Sequence, residues 1–345
     1  MTRASSLPAV LAVLAVLAVL AVVALFGSVP SAHAQSGTTY FPGSPQLAHE
    51  NRGPRDTTLT VTVSPLAPGV YAAKINYVWT GWVELPEGIL LIDSGLDSRT
   101  AEVLADSIRA RSGTKPFKYL VNTHAHGDHT GGNAYFVSKG ATVMAQTHAA
   151  AEIDAEAKKA AESDTTGLTK APSKPTTRID RRKVLGPASR SVELIYLGKS
   201  AHTDGDLIVY LPKQKIIFAG DLVSNRSVPW LLDPKFDRLG WIAAVDSLRS
   251  KRFSSVTTLV PGHGTMDKPI KEIAYTWQYL HDSWDRAAKI ANDGTSLAAF
   301  KDWGFLGPYE GDEFYVEVNF MNMRRLYQEA KGIKTPGRPG TRAYK

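Results

Sequence analysis

Thr123-His124-Ala125-His126-Gly127-Asp128-His129-Thr130-Gly131-Gly132 places three imidazoles and a carboxylate within six consecutive positions. The apolar triplet Tyr119-Leu120-Val121 directly before it reads as a buried strand, so the cluster stands in a loop at a strand end. Such a loop lets alternate side chains converge, and Gly127, Gly131 and Gly132 permit tight backbone there. Neutral imidazole and carboxylate suit zinc and similar divalent ions. Crowded histidines repel one another when protonated, and a bound cation makes the crowding favourable.

Three residues further along extend the pattern. His202 lies in Ala201-His202-Thr203-Asp204-Gly205-Asp206, between two apolar runs; Asp221 ends Ile216-Ile217-Phe218-Ala219-Gly220-Asp221; His263 lies in Pro261-Gly262-His263-Gly264, after Leu259-Val260. Each alone is an ordinary loop or core residue. Together they supply the second half of a two-metal site.

The surrounding chain reads as strands followed by alternating helices and strands. Leu59–Val63 alternates apolar and polar residues, Tyr71–Leu85 is rich in β-branched and aromatic residues, and Gly88–Asp93 is a short apolar run. Ala101, Leu104 and Ile108 share one face of a helix that stops by Gly113. A strand over Thr142–Ala145 and a helix over His148–Ser163 follow. The polar, proline-containing stretch from Asp164 to Arg182 reads as an insertion without regular structure. Further strands are predicted at Val192–Leu197, Leu207–Leu211 and Ile216–Ala219. Asp267 is expected to cap a helix with Pro269 in its first turn, running to about Ala291, and a last helix covers Tyr315–Ala330.

From about Leu59 to His263 the chain resembles the metallo-β-lactamase superfamily: Asp93 in Ile92-Asp93-Ser94-Gly95, the His-x-His-x-Asp-His segment, His202, Asp221 and His263 occur in that family's order. The resemblance implies a single α/β domain, an αββα sandwich with two divalent metals, most simply zinc, at one edge of its two sheets. It implies that His124, His126 and His202 hold one ion, that Asp128, His129 and His263 hold the other, and that Asp221 bridges them. Asp93 then matches the aspartate that orients a ligating histidine. The implied reaction is hydrolysis of a small carbonyl compound (ester, thioester, lactone or amide) by hydroxide formed on the metals, whose water can reach a pKa of about 7. Asp128 would also hold or receive a proton. With no cysteine in the chain, β-lactamase subclasses with a cysteine ligand are excluded, and the bridging Asp221 brings the ligand set nearer to glyoxalase II and the lactonases. β-Lactam hydrolysis stays as one alternative, and a non-catalytic exported metal-binding accessory protein as another.

Arg3 precedes an uninterrupted apolar run of 18 residues, Ala9–Phe26, and Ala32-His33-Ala34 follows. That is the layout of a secretory signal over residues 1–34, cleaved before Gln35, with a periplasmic or secreted destination. An uncleaved membrane anchor is the alternative reading of the same run. The expected organisation continues with an extended segment over 35–56, a catalytic domain over 57–333 and a basic, Gly- and Pro-rich tail over 334–345. Hydrophobic residues make up 43% and charged residues 21%, the balance of a globular protein. The net charge of +7 comes without a basic stripe interleaved with aromatics, which speaks against a nucleic-acid partner. Trp79, Trp82, Trp230 and the Phe305–Tyr309 stretch read as core aromatics, and Asn225 and Arg226 as a solvated loop within reach of a substrate carboxylate. His49, His148 and His281 have no partner pattern.

Overall fold

Four strands open the fold as an antiparallel meander: β1 (Val61–Ala67), β2 (Val70–Ile75), β3 (Val78–Leu85) and β4 (Gly88–Ile92). Crossovers then make β4, β5 (Phe117–Val121), β6 (Thr142–Gln146) and β7 (Thr177–Ile179) parallel. The connecting helices are α1 (Ser98–Ser112), the short α2 (Gly127–Thr130) and α3 (Asn133–Ser138), and α4 (Thr147–Ser163). A second antiparallel set comprises β8 (Arg182–Leu185), β9 (Val192–Tyr196), β10 (Leu207–Leu211) and β11 (Ile216–Asn225). Helix α5 (Arg238–Leu248) leads to β12 (Thr258–Gly264), parallel to β11, and helices α6 (Pro269–Asn292) and α7 (Phe320–Ala330) close the chain. The computed structural model describes residue 59 and residues 61–163, 174–296 and 306–333. The expected leader, the 35–56 segment, the 334–345 tail and Phe305 lie outside the described residues. No helix among the described residues is long and apolar enough to cross a membrane.

The hydrogen-bonded strand order is β7-β6-β5-β4-β3-β12-β11-β10-β9-β8, and the two halves join where His263 of β12 pairs with Val78 of β3. Side-chain alternation shows how they pack. On β4, Leu90 and Ile92 join Leu207, Val209 and Phe218 of the other half in one core, while Ile89 and Leu91 pack under α1 with Leu104 and Ile108. Ile208 and Tyr210 of β10 and Ile217 of β11 face the opposite way, onto Trp241 of α5 and Tyr279 and Leu280 of α6. Both faces of each half are covered, which is why these strands read as unbroken apolar runs. The result is the αββα sandwich expected from the sequence. Helix α1 is closed by a reciprocal capping box: the Asp97 carboxylate accepts from Thr100 N at 2.7 Å, and Asp97 N donates to Thr100 Oγ1 at 2.9 Å.

Several sequence expectations shift. The 164–182 stretch is not all irregular, because β7 pairs with β6 and β8 opens at Arg182; both are short edge strands whose polar residues conceal the alternation. Residues 164–173 of it lie outside the described residues. His148 stands in the first turn of α4, where the predicted helix begins. Lys268 is the N-cap of α6, with Pro269 in the first turn, and Asp267 accepts from Lys268 N one residue earlier. Strand β11 continues past Ala219 to Asn225, through bulges beside Gly220 and before Ser224.

Candidate metal centre

The seven candidate ligands reach one place, the rim where the two halves of the sheet meet. His124, His126, Asp128 and His129 follow β5 into α2; His202 comes from the β9–β10 loop; Asp221 and His263 come from neighbouring β11 and β12. Two groups form. One donor atom from each of His124, His126, His202 and Asp221 lies within 4.8 Å of the others, and the same holds for Asp128, His129 and His263. Asp221 stands between the groups: its Oδ2 is 3.3 Å from His202 Nε2 and 3.1 Å from His263 Nε2, and its Oδ1 is 3.0 Å from His129 Nε2. Asp128 Oδ2 lies 3.5 Å from His263 Nε2.

The remaining nitrogen of each of the five imidazoles meets an oxygen. His129 Nδ1 is 2.9 Å from Asp93 Oδ2, His126 Nε2 is 2.9 Å from Asp233 Oδ2, His202 Nδ1 is 3.2 Å from the Trp230 carbonyl and His263 Nδ1 is 3.0 Å from the Tyr77 carbonyl. His124 Nδ1 is 3.1 Å from Thr123 Oγ1, whose hydroxyl donates to Asp93 Oδ2 at 2.8 Å. These acceptors require an N–H on the outer nitrogen, so the inner one (Nε2 of His124, His129, His202 and His263, Nδ1 of His126) carries the lone pair. That is how ligating histidines are oriented and their tautomer fixed. Asp93 serves two rings, one directly and one through Thr123, and holds a left-handed backbone at φ 57° while accepting Thr123 N at 2.8 Å. The turn carrying His129 is fixed from behind, its carbonyl accepting from Ser94 N at 2.8 Å and from Asn122 Nδ2 at 3.2 Å.

Without cations, protons take their place. Burial works against charge on His126, but the Asp233 carboxylate outweighs it and lifts the ring to about 9. Burial pushes His202 down to about 4, and its Nε2 lies 2.9 Å from His126 Nδ1. Burial and the neighbouring His129 hold His124 well below the usual histidine value. Burial is outweighed at His129 and at His263 by Asp221 and Asp128, which raise both. It is outweighed again at Asp221, where His263, His129 and His124 hold the carboxyl well below its ordinary value. Even so, His124 Nε2, His129 Nε2 and Asp221 Oδ1 are buried without a well-aligned hydrogen bond among the described residues, the last two facing each other at 3.0 Å. Leaving such groups unsatisfied costs about 1–3 kcal/mol each. Divalent cations would satisfy all three at once, and the nitrogen and carboxylate donor set fits them.

Asp233, Tyr77, Phe314 and Val318 were not singled out in the sequence. Asp233 falls in Leu232-Asp233-Pro234, a loop with no motif of its own; the available signal was that five imidazoles need five outer acceptors and only Asp93 had been assigned. Tyr77 and Phe314 approach through tertiary contacts, their rings 5.1 Å apart and edge-on, beside His263. Trp230 is half-buried at the cleft, whereas Trp82 is core. Asn225 donates to the Thr265 carbonyl at 2.9 Å, and Arg226 pairs with Asp312 at 2.8 Å. His148 lies 3.3 Å from Asp204, outside the cluster.

Residues 74–263, a range that takes in every candidate ligand, match the family model of the metallo-beta-lactamase superfamily. The chain belongs to this superfamily. Among its relatives, the type 2 metallo-beta-lactamase of Bacillus cereus is 26% identical over 183 residues, 52% of this chain and 63% of that protein. Metallo-beta-lactamase IND-1 of Chryseobacterium indologenes is 25% identical over 198 residues, 56% of this chain and 75% of that one. The chain thus spans less than two thirds of the Bacillus cereus relative. Of solved superfamily structures, a metallo-beta-lactamase from Pontibacter korlensis superposes with a TM-score of 0.54 at 23% identity, over 65% of this chain and 100% of that one. DIM-1 metallo-beta-lactamase superposes with a TM-score of 0.52 at 20% identity, over 65% and 98%. At those identities the two structures speak for the fold alone.

Proposed function

We propose that the protein is an exported hydrolase that cleaves a small carbonyl compound (an ester, thioester, lactone or amide) at a binuclear centre of divalent ions, most simply zinc. The observation that carries this reading is the pair of donor groups sharing Asp221, with every imidazole aimed inward by an outer hydrogen bond. His124 Nε2, His126 Nδ1 and His202 Nε2 would hold one ion, Asp128, His129 Nε2 and His263 Nε2 the other, and Asp221 both. When bound, such ions supply Lewis acidity and lower the pKa of water to about 7. Asp128, which lines the cleft with Oδ2 3.5 Å from His263 Nε2, would hold or pass on a proton. Asp93, Thr123 and Asp233 keep the rings in position, and Tyr77, Trp230 and Phe314 shield the reacting atoms from bulk water. Export rests on the Arg3, Ala9–Phe26 and Ala32-His33-Ala34 pattern.

A second reading, β-lactam hydrolysis, is favoured by the names of the relatives. Asp221 and the lack of cysteine weigh against it. A metal count on zinc-loaded protein, run with ester, thioester, lactone and nitrocefin substrates, separates the readings. Two ions with turnover of esters or lactones supports the proposal, turnover of nitrocefin alone favours the lactamase, and two ions without turnover of any substrate favours an accessory metal-binding role.

A further inference from the structure

Beyond the candidate ligands, the cleft is lined by Tyr77, Val228, Trp230, Phe314 and Val318, and no lysine or arginine among the described residues lines it. Among the described residues, three cations of neighbouring segments make other contacts. Arg226 pairs with Asp312 at 2.8 Å, Lys74 Nζ donates to the Gly264 carbonyl at 2.7 Å, and Lys235 lies 3.9 Å from Asp204.

The backbone holds this wall in place. Glu313 N donates to the Arg226 carbonyl at 3.0 Å and Val228 N to the Glu313 carbonyl at 2.9 Å, forming a bridge between the loop after β11 and the segment before α7. Arg226 and Phe314 beside this bridge both adopt left-handed backbone, at φ 57° and 63°. Bulky residues take that conformation only where their surroundings enforce it, and such positions gather at ligand clamps. Here the outcome is visible: the Phe314 ring meets Tyr77 at 5.1 Å and His263 at 6.2 Å, and the Tyr77 carbonyl orients His263.

We propose that the cleft takes an uncharged carbonyl compound bearing an aryl or branched alkyl group, and that Phe314, with Tyr77, sets this preference. This deepens the hydrolase reading and rests on it. An apolar group packs on the Tyr77–Phe314 wall, while a carboxylate placed there loses its water and meets no lysine or arginine among the described residues to replace it. β-Lactams, which carry such a carboxylate, are then poor substrates.

The test uses full-length zinc-loaded protein and two ketones that cannot be hydrolysed, 4-phenyl-2-butanone and its para-carboxylate, with binding followed by calorimetry. The neutral ketone is expected to bind at least about tenfold tighter, the scale on which an apolar pocket discriminates. Phe314→Ala should shrink that ratio, and Phe314→Lys should reverse it. Equal or tighter binding of the carboxylate, binding of neither ketone, or a ratio unchanged in both variants overturns the inference. Hydrolysis of phenyl acetate and 4-carboxyphenyl acetate is measured in parallel with the thioester, lactone and nitrocefin panel: two bound zinc ions without turnover of any substrate refutes the hydrolase reading, whereas the ketone ratio decides the cleft's preference in either case.

Discussion

Gly262, one residue before His263, is where a single methyl group would do most to the candidate centre. A Cβ built there stands 2.0 Å from Asp221 Oδ1, 2.8 Å from the Gly220 carbonyl carbon and 2.9 Å from Asp221 N. To restore an ordinary contact of 3.4 Å the carboxylate must retreat by more than 1 Å, away from the position between the two donor groups. Metal sites tolerate deviations of about 0.2 Å, so Gly262→Ala should lose one of the two ions. A misplacement of about 1 Å can cost roughly 100-fold in turnover, and at least that loss is expected here. The contacts to backbone also force β11 and β12 apart by a few tenths of an ångström, an overpacking cost of about 1–3 kcal/mol. Gly127→Ala is the matched control, because a Cβ there meets nothing within 4 Å although the residue lies between His126 and Asp128. Metal analysis by plasma mass spectrometry, turnover of the best ester or lactone, and far-UV circular dichroism would be compared for both variants. Two ions and undiminished turnover in Gly262→Ala would refute the bridging position of Asp221; equal losses in Gly127→Ala would show that any change near the cluster suffices.

Other perturbations read different parts of the arrangement. Asp221→Ala should retain the fold but bind one ion instead of two, and retention of both by metal analysis would sink the shared-ligand assignment. Asp233→Ala removes the acceptor of His126 Nε2 and should weaken metal binding about 10–100-fold in a competition titration with a chelator; unchanged affinity would show that Asp233 does not orient the ring. Glu272, fully buried on α6, is pushed up to about 8 by burial, against the bond it accepts from Asp267 N. The folded state therefore keeps its proton between about pH 4.5 and 8 while the unfolded chain releases it. Its stabilising contribution is complete below pH 4.5 and declines by about 1.4 kcal/mol per pH unit as pH rises toward 8. Glu272→Gln abolishes this slope, so its melting temperature should gain on the parent as pH rises from 5 to 8, and a pH-independent difference would refute the shift.

How much of this could be read from residues alone depended on whether the determinants were adjacent in sequence. The His124–His129 segment and Asp93, Asp221 and His263 were legible because a buried strand is a short apolar run, and each of them follows such a run directly or within a few residues. The edge strands β7 and β8 were hidden, since their mixed burial leaves no unbroken apolar run. The extension of β11 to Asn225 was hidden for another reason: its bulges break the register that alternation relies on.

The outer shell of the site follows the same division. Asp93 could be placed because the superfamily resemblance carries the Ile92-Asp93-Ser94-Gly95 segment, whereas Asp233 meets His126 across 107 positions of sequence and the acceptors of His202 and His263 are backbone carbonyls, which no side-chain pattern encodes. Arg226 shows the converse. By sequence it was part of a solvated loop within reach of a carboxylate; its side chain is exposed but pairs with Asp312, and its carbonyl accepts from Glu313 N, which ties that loop to the residue before Phe314. The ligands are therefore set by local sequence, and the cleft's chemical preference by contacts between distant loops. This is why a shared ligand set identifies the superfamily but leaves the substrate to residues such as Tyr77 and Phe314.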